Sequence, residues 1–149
     1  MPRLILGGSF NPIHHGHLIC ARAVAERAGY SQVTLMPTGQ PPHKAIPADL
    51  ASAPDRLAMA RLAVVGDPLF EVDDLESRST GTSYTIDTVR RMAPRGEAIH
   101  WLIGADMLLY LPQWHRIEEL LGEVKFVVME RPGWPIDRGS AGDVPTLAG

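Results

Sequence analysis

Residues 4–17 read Leu4-Ile5-Leu6-Gly7-Gly8-Ser9-Phe10-Asn11-Pro12-Ile13-His14-His15-Gly16-His17, an apolar run that breaks into glycine and then opens a helical pattern. The unbroken Leu4-Ile5-Leu6 suits a strand buried on both faces of a parallel sheet. Gly7 and Gly8 remove the Cβ atoms that would keep backbone N–H groups away from an anion. From His17 onward Leu18, Ala21, Ala25 and Ala28 recur at helical spacing, and the first turn of a helix leaves N–H groups that favour negative charge. Strand, glycine turn and helix in that order make a phosphate the natural guest. His14 and His17, three apart at the mouth of the helix, can donate hydrogen bonds to phosphoryl oxygens as charge builds on them.

The rest of the chain alternates in the same way. A strand over residues 3–7 leads to a helix over 17–28, which Gly29 stops, and residues 33–36 read as a second strand. Residues 37–47 hold four prolines and one glycine and predict a surface loop beyond that strand's carboxyl end. Pro54 suits a first helical turn, with Leu57, Ala60, Leu62 and Val64 as an apolar face up to Gly66. A short third strand is expected over 70–72, a polar stretch from Glu76 to Ser83, a helix over 85–92 and a fourth strand over 100–103. Gly104-Ala105-Asp106 then repeats the strand-to-turn pattern, before a helix over 115–121 and a fifth strand over 124–129. Alternation with apolar strands predicts an α/β fold with a doubly wound parallel five-stranded sheet, whose ligands bind at the carboxyl ends of the strands. Residues 134–149, rich in Gly, Pro, Ala and Asp without a periodic pattern, predict an irregular or disordered tail.

Composition narrows the partners. At 149 residues one domain with one core is the default, here expected over residues 1–133. A net charge of −3 without a basic run argues against nucleic acid, which needs clustered Lys and Arg. The single cysteine, Cys20, cannot form an intramolecular disulfide and suits a reducing compartment, where it reads as a packing residue. No apolar stretch approaches membrane-spanning length, and the amino terminus enters a strand without a signal-peptide pattern, so a cytoplasmic protein is expected. Nothing in the pattern speaks to oligomeric state.

The glycines alone have a bland reading, a tight turn, and the string matches neither G-x-G-x-x-G nor G-x-x-x-x-G-K-[ST]. The histidines have two others, capping the turn or binding metal. No acidic or cysteine ligand lies close to them in sequence, and no protein metal site is expected.

His14-His15-Gly16-His17 resembles the H-x-G-H motif of the adenylyl and cytidylyl transferases. The longer Gly7–His17 string is similar to the amino-terminal signature of bacterial nicotinate-nucleotide adenylyltransferases, G-G-[ST]-F-[DN]-P-[IV]-H-x-G-H. Three further segments resemble that family in the same order: Pro41-Pro42-His43-Lys44, Ser83-Tyr84-Thr85-Ile86-Asp87-Thr88, and Ile103-Gly104-Ala105-Asp106 with Leu111-Pro112-Gln113-Trp114-His115. The likeness spans residues 3–133; the family's later I-S-S-T-x-I-R segment, whose Ser and Arg meet the ATP phosphates, has no counterpart here.

The resemblance implies a Rossmann-like nucleotidyltransferase fold with strand order 3-2-1-4-5, which brings the first and fourth strands side by side. It implies transfer of the adenylyl group of ATP to nicotinate mononucleotide, with ATP and that mononucleotide as partners and Mg²⁺ arriving with the ATP, held by triphosphate oxygens and water. His14 and His17 would contact the transferring phosphoryl group. Gly8, Ser9, Phe10, Gly16, Gly104 and Asp106 would serve ATP and phosphate, with Asp106 either bonding ribose hydroxyls or capping the turn that begins there. Lys44, Tyr84, Thr85, Trp114 and His115 would hold the mononucleotide, Thr85 at a helix start suited to the ring carboxylate and Trp114 either stacked on the pyridine or packed in the core. Two alternatives stand beside this reading. One is a nucleotide-binding module of the same fold without catalysis. The other is a different H-x-G-H transferase, such as a pantetheine-phosphate adenylyltransferase or a cytidylyltransferase.

Overall fold

The structure, a computed structural model, describes residues 2–39, 49–79 and 81–129, together with the backbone of residues 146–147. Its strands are β1 (Arg3–Gly8), β2 (Val33–Pro37), β3 (Phe70–Val72), β4 (Ile99–Gly104), β5 (Lys125–Met129) and β6 (Thr146–Leu147). The helices are α1 (His15–Ala28), α2 (Ala53–Ala63), α3 (Leu75–Arg78), α4 (Thr85–Met92) and α5 (Ile117–Glu123). All strands pair in parallel, in the order β3-β2-β1-β4-β5-β6. The expected order of the first five strands therefore holds. A sixth joins the far edge, where Thr146 and Leu147 pair with Val128 and Met129 in a stretch expected to carry no element.

Side chains alternate along each strand between two apolar clusters, as the pleat requires. Ile5, Met36, Trp101, Ile103, Phe126 and Val128 face one layer with Leu75, Ile86, Val89, Met92 and Leu120 from α3, α4 and α5. Leu4, Val33, Leu35, Leu102, Val127 and Met129 face the other with Ala21, Val24, Ala25 and Ala60 from α1 and α2. Helices on both faces make the sheet doubly wound. Among the described residues no helix is long and apolar enough to cross a membrane.

Local chemistry sets the helix ends. Gly29, at φ 81°, takes the left-handed conformation that terminates α1, and its N–H returns to the Ala25 carbonyl. Ser52 caps α2 by accepting from the Asp55 N–H at 3.2 Å, with Pro54 in the first turn. Three elements differ from expectation. α1 begins at His15 because His14 occupies the N-cap position in an extended conformation. α5 is delayed to Ile117 because Arg116 sits at φ 54°. Residues 76–78, expected to begin a polar stretch, belong to α3.

Candidate active site

The β1–α1 turn and the β4 turn meet at the carboxyl edge of the sheet. β1 lies between β2 and β4, with Leu6 opposite Leu102 and Gly8 opposite Pro37, so the chain leaves β1 and β4 side by side. Gly7 is required by its neighbour: a Cβ there would fall 2.8 Å from Cζ2 of Trp101. Around this edge a cavity of about 530 Å³ is lined by the Gly7–Pro12 loop, His14, His17, Thr38, Glu76, Ser83, Thr85, Trp101, Gly104, Asp106, Met107 and Trp114. That size suits a nucleotide-sized ligand.

His14 and His17 enter the cavity as a stacked pair, ring centroids 3.8 Å apart and planes 26° from parallel. The stack is built by the helix start. His17 lies one turn into α1, and its Nδ1 accepts the His14 backbone N–H at 3.1 Å. Because Nδ1 accepts, the ring proton of the neutral imidazole is on Nε2, which makes that nitrogen a donor. Phe10, buried at φ 49°, meets the His17 ring edge-on at 5.1 Å and fixes its tilt. Gly16 lines no part of the cavity; instead a Cβ at Gly16 would fall 2.9 Å from the His14 ring, so this glycine leaves room for the histidine.

Two side chains that the sequence did not single out hold the loops in place. Arg56 of α2, 1% exposed, donates to the carbonyls of Ser9 at 2.9 Å, Thr38 at 2.6 Å, Gly39 at 2.8 Å and Ala51 at 2.8 Å. One guanidinium thus ties the ends of β1 and β2 to the start of α2, and its burial pulls its pKa down. Asn11 adds a second tie, donating to the Asp49 carbonyl at 3.3 Å and accepting the Ala51 N–H at 3.0 Å.

The far wall comes from α3, α4 and the segment after β4. Thr85 opens α4 and lines the cavity beside Ser83, whose buried hydroxyl has no hydrogen-bond partner among the described residues; Thr38 Oγ1 is the same. Trp114 is buried in the core with its ring edge-on to Phe126 at 5.8 Å, and it also lines the cavity. Asp106 lies in the first turn of the 3₁₀ segment after β4 and lines the cavity too. Tyr84 and His115 stand outside it, stacked on one another with centroids 4.2 Å apart, and so support the wall rather than form it. Lys44 lies outside the described residues.

Glu76 is the other residue that sequence reading missed. Its carboxyl is buried in the wall, accepts the Thr88 hydroxyl at 2.8 Å, and is pushed up to about 7 by loss of hydration, with Asp73 adding to the rise and Thr88 opposing it. In the string Asp-Asp-Leu-Glu-Ser-Arg it reads as a solvated surface charge, and only the packing of α3 against the sheet removes it from water.

Comparisons with known proteins agree with this arrangement. The cytidylyltransferase-like family model matches residues 5–145, beyond the end of the likeness read from motifs. A Geobacillus thermodenitrificans protein named probable nicotinate-nucleotide adenylyltransferase is 42% identical over 135 residues, covering 89% of this chain and 62% of its own length. One of the same name from Opitutus terrae is 46% identical over 146 residues, covering 95% of this chain and 72% of its own. This chain thus spans about three fifths of the first relative's length. Among solved structures, Plasmodium falciparum nicotinic acid mononucleotide adenylyltransferase complexed with NaAD superposes with a TM-score of 0.81 at 18% identity, over 99% of this chain and 74% of that one, which shows a shared fold. By its family-model match and its identity to these relatives, the chain belongs to the cytidylyltransferase-like family, among the nicotinate-nucleotide adenylyltransferases.

Proposed function

We propose that this chain transfers the adenylyl group of ATP to nicotinate mononucleotide, releasing pyrophosphate and leaving nicotinate adenine dinucleotide. The observation that carries the reading is the stacked His14–His17 pair at the head of α1, in one cavity with the head of α4. The names of the relatives and the NaAD-bound neighbour point the same way.

An oxygen of the mononucleotide 5′-phosphate attacks the α-phosphorus of ATP in line, and the bond from that phosphorus to the oxygen bridging to the β-phosphate breaks as pyrophosphate leaves. No side chain becomes a covalent nucleophile, so rate comes from positioning and from stabilising charge on the phosphoryl oxygens. His17 donates from Nε2, held in that tautomer by the His14 N–H, and His14 stacks against it so that both rings face the reacting phosphorus. The Gly8–Phe10 turn and the start of α1 offer backbone N–H groups to the phosphates. Asp106, at the β4 turn, takes ribose hydroxyls. Ser83 and Thr85 meet the ring carboxylate and Trp114 the pyridine face, with Lys44 assigned to the mononucleotide from its motif alone. Mg²⁺ would arrive with the ATP, held by triphosphate oxygens and water. Such an ion offsets negative charge on the triphosphate.

The test is pyrophosphate release from nicotinate mononucleotide, ATP and Mg²⁺. Turnover by the wild type and its collapse in His17→Ala support the reading. The same assay separates the second reading, a nucleotide-binding module of the same fold, for which both substrates bind and no pyrophosphate forms.

A further inference from the structure

Glu76 lines the same cavity as Ser83, Thr85 and Trp114, at 4% exposure, yet pairs with no cation among the described residues. Among those residues its carboxyl bonds only to the Thr88 hydroxyl. The described cations around it are engaged elsewhere. Arg78 of α3 and Arg61 of α2 pair with Asp74, Arg95 pairs with Asp73, Arg91 of α4 donates to Ser79 Oγ, and Arg56 of α2 serves carbonyls. β2, also packed on α3, brings no titratable side chain, and Asp73 is the charge that acts on Glu76 from the loop before α3. Across the cavity stand Asp106, His14 and His17.

Burial decides which form fits. Thr88 Oγ1 lies 2.8 Å from Glu76 Oε2 and 3.3 Å from the Tyr84 carbonyl, and a hydroxyl has one proton to give. With Glu76 ionised, Thr88 donates to it, and the Tyr84 carbonyl keeps the Asp87 and Thr88 N–H groups. With Glu76 protonated, Glu76 donates to Thr88 and Thr88 donates to Tyr84. Both forms complete these contacts, but a carboxyl at 4% exposure beside one neutral hydroxyl, with no cation paired to it among the described residues, is favoured as the neutral acid.

These contacts end at the head of α4. The Tyr84 carbonyl takes the Asp87 and Thr88 N–H groups, Thr85 at the helix start lines the cavity, and the buried Ser83 hydroxyl lacks a partner among the described residues. An anion placed there meets donors from Ser83 and the helix start, but also meets Glu76. Resting on the adenylyl-transfer reading above, we infer that Glu76 is a selectivity residue gated by its own proton: neutral, it admits a mononucleotide whose ring bears a carboxylate, and ionised, it repels that ring and favours the uncharged carboxamide. Burial that holds Glu76 near 7 places this exchange within the physiological range.

By linkage, a carboxylate that binds only the protonated form must bring a proton with it, and its affinity falls roughly tenfold per pH unit above the free-state midpoint. The amide mononucleotide carries the same 5′-phosphate and controls for phosphate titration. Calorimetric titration between pH 6 and 8.5, in buffers of differing ionisation heat, counts the protons. We expect uptake approaching one proton per acid mononucleotide at pH 8, beyond any seen with the amide, and its loss in Glu76→Gln, whose amide mimics the neutral acid. Equal uptake in the wild type and Glu76→Gln, or acid affinity independent of pH, overturns the gate and leaves the proposed function standing. Failure of the amide mononucleotide alone to bind overturns the gate, and failure of the acid mononucleotide to bind overturns both. Should Glu76→Gln not fold, ¹³C NMR of the wild-type carboxyl decides: a midpoint that rises on binding the acid mononucleotide supports the gate, and an unmoved midpoint ends it.

Discussion

The two edges of the sheet use the same residue types for opposite ends. At the amino edge, Arg3 donates to Glu97 at 2.7 Å, to Thr34 at 3.2 Å and to Glu71, Thr34 donates to Glu71 at 2.6 Å, and the Tyr30 hydroxyl bonds the Nδ1 of His100. Every one of these polar groups ends on another. At the carboxyl edge, the Thr38 and Ser83 hydroxyls have no partner among the described residues, Glu76 has a single hydroxyl among them, and His14 and His17 stack in the cavity wall. Buried polar groups are costly unless bonded, so an edge that leaves them open is one that a polar ligand completes. The sheet's own polarity decides which edge that is, because the strand ends and helix starts that favour anions gather at the carboxyl side.

The contrast breaks most sharply at His17. On the proposed reading, His17→Ala removes a donor to the transferring phosphoryl group and should lower pyrophosphate release about a thousandfold, some 4 kcal/mol of transition-state stabilisation. Its effect on folding should stay near 1 kcal/mol, the worth of the bond from the His14 N–H. A variant that turns over normally would return the pair to a structural role. Arg56→Ala should act in the opposite proportion. It strips four carbonyls of their donor, at roughly 1 kcal/mol each, so chemical denaturation should show a loss of about 4 kcal/mol, and activity should fall only because the Gly8–Phe10 turn is no longer held.

Glu76 sharpens the comparison through pH. Its midpoint rises from 4.5 to about 7 on folding, so between those values the native state holds a proton that the unfolded chain has released, and stability falls as pH rises through the window. Above it the deficit is about 3 kcal/mol. Glu76→Gln should therefore be more stable than the wild type at pH 8 by up to about that amount, with the gap closing toward pH 4.5. A gap that does not change with pH would mean that the carboxyl is not held neutral by burial.

These three residues mark where sequence reading ends. Strands were legible because a strand buried on both faces leaves an unbroken apolar string, as Leu4-Ile5-Leu6 and Trp101-Leu102-Ile103 do. His14 and His17 were legible because their work depends on local spacing across a helix start. Arg56 and Glu76 were not, since a charged residue among charged neighbours reads as solvated until packing of α2 and α3 removes its water. The adjacency of β1 and β4 rested on family resemblance, for nothing in the spacing of residues 3–104 dictates which strands pair. Trp101 shows the same limit: its indole faces the cavity only because Gly7 on the neighbouring strand has no side chain.

The smallest expected effect lies at the amino edge and tests the other half of the contrast. Burial holds the His100 imidazole below its ordinary pKa, with Lys125 adding to the depression, and the ring shares a hydrogen bond between Nδ1 and the Tyr30 hydroxyl while the two rings meet edge-on at 5.6 Å. Tyr30→Phe keeps the ring contact and deletes only the hydroxyl, which should cost about 1 kcal/mol at pH 8. As pH falls below 6.5 the unfolded chain takes up a proton that the folded ring resists, so the wild type loses stability there for a reason the substitution does not remove. Two denaturation curves, one at each pH, separate the bond from the titration. Turnover should be the same in both proteins, because a paired histidine at this edge touches nothing that reacts; a change in rate would mean that the amino edge communicates with the cavity through β4, and that satisfied bonding alone does not mark a region as structural.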